Sequence, residues 1–183
     1  MLRKEGDHVY AVLNDLDHAV SADAQSQSLK HRTGTMPFMA IDLLREEPVE
    51  HLYRHDLESL FYVLVWITSR FNNGKVIPSP PLQEWADGNH RIVETSKCAF
   101  ILEPSLFPTE KFELFGFHIT RMHMMFRQGH AARSNARAFA RRFNIGSPVT
   151  SFDDVTLGGW VTFDTFQSIL DTDLLICTTS APA

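Results

Sequence analysis

The sequence has 183 residues, 44% hydrophobic and 21% charged, enough for one domain with a real core and no compositional case for disorder along the whole chain. A net charge of −5 argues against non-specific nucleic-acid binding. The longest apolar run, Leu60 to Ile67, is too short to span a bilayer, and two distant cysteines, Cys98 and Cys177, form neither a disulfide framework nor a zinc spacing.

The charged start, Met1 to Asp7, carries no signal-peptide core. A soluble intracellular protein, cytoplasmic or nuclear, is expected, with no membrane partner. His8 to Leu13 (HVYAVL) is short, apolar and rich in β-formers, so it predicts a strand, broken by turn chemistry at Asn14 to Asp17. Ser21 to Thr35 reads as a polar loop, and Met39 to Leu44 as a short helix.

The strongest helix signal runs from Asp56 to Thr68. Leu57, Leu60, Phe61, Leu64 and Val65 recur at helical spacing, and Tyr62, Val63 and Trp66 make the other side apolar too. A helix apolar all round belongs in the centre of a domain. Asp56 and Glu58 favour its start through the helix dipole. Asn72-Asn73-Gly74 closes this region, and a proline-rich loop from Pro78 to Pro81 follows.

Further helices are expected over Leu82 to Ala86 and Arg91 to Leu102. Phe112, Phe115, Ile119, Met122 and Phe126 form an amphipathic stripe. Pro148 to Gly159 reads as a loop, and Thr162 as the cap of a last short helix carrying Phe163, Phe166, Ile169 and Leu170. The tail, residues 178–183, is expected to fray. The fold class predicted is mainly α with a small β remnant at the N-terminus, and residues 1–177 read as one domain.

Charge is uneven along the chain. Phe117 to Phe143 holds six arginines, Arg121, Arg127, Arg133, Arg137, Arg141 and Arg142, and no acid. The remainder carries 11 basic and 22 acidic residues. The plain interpretation of the basic stretch is a solvated helix face balancing an acidic body. The sharper one is a docking surface for an acidic protein partner.

Three segments carry the chemical argument through their order. Asn14-Asp15-Leu16-Asp17-His18-Ala19 ends the strand, Gly34-Thr35-Met36-Pro37-Phe38-Met39-Ala40-Ile41-Asp42 follows, and Arg54-His55-Asp56-Leu57-Glu58-Ser59-Leu60 opens the apolar helix. This order resembles the C-terminal lobe of a protein kinase, where a metal-binding Asp closes a strand, a polar activation segment follows, and a central helix opens on an acid. The wording, with a second acid after the first, Gly-Thr-x-x-Phe-Met-Ala and His-Asp-Leu-Glu-Ser, is similar to the fungal-type protein kinase family. Pro81-Leu82-Gln83-Glu84-Trp85 resembles that family's next helix, and the likeness is clearest from Val9 to Leu102.

The resemblance implies ATP-dependent phosphoryl transfer to protein Ser or Thr, with ATP and Mg2+ as cofactors of the complete domain. It places Asp15 at the magnesium position, with Asp17 a second carboxylate beside it. It makes residues 15–42 the activation segment, ending in Thr33, Gly34, Thr35, Pro37 and Asp42. It implies that Asp42 pairs with an arginine of a later helix, for which Arg121 and Arg127 are candidates, and it makes Asp56 structural. Ser21, Ser26, Ser28, Thr33 and Thr35 are hydroxyls open to phosphorylation, against the plainer interpretation of a polar loop. His118 and His123, on a helical stretch, are expected to be surface or packing residues.

The sequence departs from the family in what it lacks. It contains no His-Arg-Asp-x-x-x-x-Asn run, since His31-Arg32 precedes Thr33 and His90-Arg91 precedes Ile92. It holds no Gly-rich phosphate loop, and too few residues precede Asp15 for an N-lobe with its ATP-anchoring lysine. These groups position ATP and neutralise developing charge. The expectation is therefore a truncated or pseudokinase-like lobe with no catalytic residue, inactive alone. The alternative is a kinase-derived, non-catalytic protein-binding module. A remote third possibility takes Asp15-x-Asp17 as the nucleophile motif of a haloacid-dehalogenase-type phosphatase, but Asp153-Asp154 follows no apolar strand, as that fold would need.

Overall fold

The structure is a computed structural model that describes residues 2–6, 8–11, 34–46, 49–104, 108–142 and 152–172. It comprises two compact units, Met1–Arg32 and Thr33–Ala183. In the first, strand β1 (Leu2–Glu5) pairs antiparallel with β2 (His8–Ala11), from Leu2 opposite Ala11 to Glu5 opposite His8. The second strand is the predicted one. The first escapes a hydropathy reading because Arg3, Lys4 and Glu5 fill it.

The second unit is helical. A 3-10 turn, Met36–Phe38, with proline at its start, leads into α1 (Ile41–Leu44). The central helix α2 (Tyr53–Arg70) begins three residues before Asp56. Its start is fixed by His55, whose Nδ1 accepts a hydrogen bond from the Leu52 N–H at 3.1 Å, satisfying a donor that the helix leaves open. A two-stranded hairpin follows, β3 (Phe71–Asn72) with β4 (Lys75–Val76). Its turn places Asn73 and Gly74 at positive φ, which asparagine and glycine tolerate; in the sequence alone this run marks only the end of the helical region.

Helices α3 (Gln83–Asp87) and α4 (His90–Leu102) come next; Asn89 caps α4 by accepting from the Ile92 N–H at 3.0 Å. The aromatic stripe opens as a 3-10 turn, Glu110–Phe115, and continues as α5 (Gly116–Arg142). Phe115 is exposed there, while Ile119, Met122 and Phe126 are buried. The expected Thr162 cap is present on α6 (Phe163–Asp171), where Thr162 Oγ1 accepts from the Thr165 N–H at 3.0 Å.

Phe61, Tyr62, Trp85, Phe100 and Phe126 form the centre of the core. Phe61 stacks on Phe126 at 5.2 Å, and Trp85 meets Tyr62 and Phe100 edge-on at 5.1 and 5.5 Å, the geometries aromatic quadrupoles favour. As expected, α2 is buried on most of its circumference, with one face left open. Leu57, Phe61, Tyr62 and Val65 are buried, but Leu60 and Ile67, seven residues apart on one face, are 44% and 41% exposed.

Candidate functional site

The Gly34–Asp42 segment folds back on α2 because of what α2 carries inside. Glu58 is fully buried. Its Oε1 accepts from the Ile41 N–H and from the Tyr62 hydroxyl, both at 2.9 Å. Its Oε2 lies 3.6 Å from His130 Nε2 of α5. Burial pushes this carboxyl up, but His130 and the Ile41 N–H outweigh burial and leave it at about 2. The sequence places Glu58 as an acid favoured by the dipole at the helix start; that it is buried and anchors the Ile41 backbone is decided by the fold.

Asp42 is the hub of the site. It is 3% exposed and takes three arginines. Arg133 of α5 donates Nη2 to Oδ1 at 2.9 Å and Nη1 to Oδ2. Arg54 of α2 donates Nη2 to Oδ2 at 2.7 Å, and Arg45 lies 3.2 Å from Oδ1. His55 Nε2 stands 3.7 Å from Oδ2. Burial would raise this carboxyl, but His55, Arg133 and Arg54 together hold it well below the usual carboxylate range. Arg54 also donates Nε to the Asp154 carbonyl at 2.6 Å, tying the Phe152–Val161 turn to the hub.

The expected later-helix arginine is therefore Arg133, which corrects the choice of Arg121 or Arg127. Arg121 and Arg127 point outward from α5 and are exposed, with Arg121 lying over Phe117 at 5.6 Å. The residue 133 is reached through the helix periodicity from Met122, Phe126 and Gly129, all on the buried face. Arg133 is correspondingly withdrawn from the basic docking surface. Arg137 faces Asp154 at 3.8 Å, and Arg141 and Arg142 are exposed.

A small cleft of about 50 Å³ shares His55 with this hub and is lined by Gly34, Thr35, Phe38, Met39 and Leu43 from the Gly34–Leu44 segment and by His51, Asp56 and Ser59 at the start of α2. Gly34 takes a φ of 138°, which favours glycine. Thr35 is exposed, its carbonyl accepting from the Phe38 N–H at 2.8 Å, and Pro37 opens the 3-10 turn. Asp56 is in the first turn of α2, its side chain 72% exposed, and accepts from His51 Nε2 at 2.9 Å. That hydrogen bond raises the His51 pKa above its ordinary value.

Asp15, Asp17, Thr33, Ser21, Ser26 and Ser28 lie outside the described residues, as does the tail 178–183. Among the described residues no group of three His, Cys, Asp or Glu is placed to hold a metal ion, and no helix is long and apolar enough to cross a membrane. His123 is buried, its Nε2 3.0 Å from the Phe100 carbonyl, a packing role as expected.

A family model described as fungal protein kinase matches residues 1–68. The match covers the Asp15-Leu16-Asp17 stretch, the Gly34–Asp42 segment and the start of α2, so over these residues the chain is similar to the fungal protein kinases. No curated protein and no solved structure matches the chain.

Proposed function

We propose that this chain is the protein-engaging C-terminal lobe of a fungal-type Ser/Thr protein kinase and that by itself it transfers no phosphate. The Asp42 hub is the observation that carries the reading. An acid closes the segment after Gly34-Thr35, and a bidentate arginine of a later helix grips it, with Asp in place of the usual Glu. The family match over residues 1–68 supports the same assignment. ATP and Mg2+ are what the resemblance brings to the complete domain, with Asp15 and Asp17 as the carboxylates that would face the metal. The described residues supply positioning: Glu58 holds Ile41, Asp42 holds α5, and between them the Gly34–Ala40 segment is laid along α2 beside the exposed carboxylate of Asp56.

Two measurements test this. The purified chain with Mg-ATP and a generic protein substrate should show no transfer. Titration with Ser- and Thr-containing peptides should move amide resonances of residues 34–40 and 51–59. Transfer abolished by Asp15→Ala would overturn the first half of the reading. Peptide shifts elsewhere, or none, would overturn the second.

One observation favours a second reading, a binding module without catalysis. Arg127, Arg141 and Arg142 are exposed on α5, within a 27-residue helix that carries no acid. An acidic peptide should then move α5 resonances in low salt and release them in high salt.

A further inference from the structure

We propose that the open face of α5 is a docking surface for an acidic amphipathic helix of a partner protein. The inference deepens the binding-module reading above and rests on it in taking α5 as the contact. One face of this 27-residue helix is committed to the core through Ile119, Met122, Phe126, Gly129 and Arg133. The opposite face carries Phe117, Met124, Ala131 and Ala138, each seven residues after the one before and each exposed. The two large side chains, Phe117 and Met124, are 45% and 51% exposed. A lone apolar residue on a surface needs no explanation, whereas a row of them rimmed by charge marks a contact.

Arginines form the rim. By helix periodicity Arg121 falls on one side of the row and Arg127 on the other, and both are exposed. Arg142 lies one turn beyond Ala138 and is exposed too. The Arg121 guanidinium stands 5.6 Å from the Phe117 ring centre, so charge and apolar surface are contiguous there. Among the described residues, Arg121, Arg127, Arg141 and Arg142 have no carboxylate within ion-pair distance, and Asp154 faces Arg133 and Arg137 instead. The helix itself carries no acid. An apolar row between unpaired cations is complemented by apolar residues between carboxylates.

The spacing selects a helix as the occupant. Seven residues of α-helix advance about 10.5 Å. A partner helix keeps step with that repeat through its own every-seventh positions, as along a coiled-coil seam. An extended chain repeats its same-face side chains every ~6.6–6.8 Å and falls out of register. The alanines at 131 and 138 allow the two helix axes to come close. A second copy of this chain fits poorly. Two such faces, in either orientation, set arginine against arginine with no acid between them, and opposed like charges disfavour the pairing.

The test uses the full chain and a synthetic three-heptad peptide with Leu along one face and Glu on its flanks. One control scrambles that peptide at constant composition, and another replaces its Glu by Lys. Calorimetry in low salt should give the acidic helix about tenfold tighter binding than its scramble. Met124→Gln and Phe117→Ser should each weaken it about tenfold, and added salt should weaken it further. Leu102→Ser, at an exposed position of α4, should bind as wild type does. If the apolar substitutions do not fold, Arg121→Glu with Arg127→Glu leaves the row intact and should lose binding to the acidic helix while gaining it for the Lys peptide. Equal binding of the acidic helix and its scramble would overturn the inference and leave the acidic-peptide reading in place. Absence of binding to both would overturn the two together. Equal binding of the Lys peptide by the wild type, tighter binding to phosphatidylserine vesicles, or a dimer of the chain that Met124→Gln dissolves would each overturn the assignment of the partner.

Discussion

Arg133 grips both carboxylate oxygens of Asp42 across 91 residues of sequence, and both side chains are almost wholly buried. A pair of this kind is costly to break from one side, because the partner left behind is an uncompensated charge in the core. Asp42→Asn or Arg133→Ala should therefore lose about 3–5 kcal/mol in urea unfolding. Arg133→Lys should recover little of it, since an ammonium cannot reproduce the two-pronged grip. Arg121→Ala and Arg127→Ala, on the open face of the same helix, should stay within about 0.5 kcal/mol of wild type. Equal losses at 121 and 133 would remove the distinction drawn between the two faces of α5.

Glu58 sets the acid limb of stability. Its carboxyl is held at about 2 in the fold, against an ordinary value near 4.5. A lowered carboxylate contributes stability that is present above its unfolded value and is lost as pH falls through its folded one. About 3 kcal/mol should accordingly disappear between about pH 4.5 and pH 2. Glu58→Gln should be less stable than wild type at pH 7 and show a flatter acid limb. Parallel acid limbs for the two proteins would contradict the assignment.

His51 titrates in the opposite sense. Its pKa is raised, first by the hydrogen bond to Asp56, so its small contribution is present at low pH and lost as pH rises through the raised value. Asp56→Asn should lower the His51 midpoint read from its ring resonances. Both groups are largely exposed, so global stability should hardly move. An unchanged midpoint would show that the pair does not form in solution.

Gly129 lets the Phe152–Val161 turn approach α5. A Cβ there would lie 2.8 Å from Leu157 Cβ, and Leu157 is fully buried with a φ of 52°. With the backbone on both sides fixed, Gly129→Ala should cost about 1–3 kcal/mol despite alanine's better helix propensity. A melting temperature raised by the substitution would mean that the turn yields.

Periodicity and capping chemistry were legible in the chain itself. The apolar spacing from Leu57 to Val65 placed α2, the Thr162 side chain placed the start of α6, and Asn-Asn-Gly marked the end of the α2 region, because each depends on neighbours within a few residues; the short β3–β4 hairpin built on that turn was not legible there. The motif order from Asp15 to Asp56 likewise pointed to the kinase resemblance that residues 1–68 carry. What the sequence could not decide is which distant charges meet. Six arginines lie on one acid-free stretch, and only the rotation of α5 against the core turns Arg133 inward while leaving Arg121 and Arg127 in water. Lys97 shows the same limit. Four residues past Val93 and three before Phe100, it lies on the buried face of α4, yet charge alone predicts exposure. Its burial was settled by the two carbonyls and two aromatic rings that meet there only after the Met36–Phe38 turn, α2, α3 and α4 have packed.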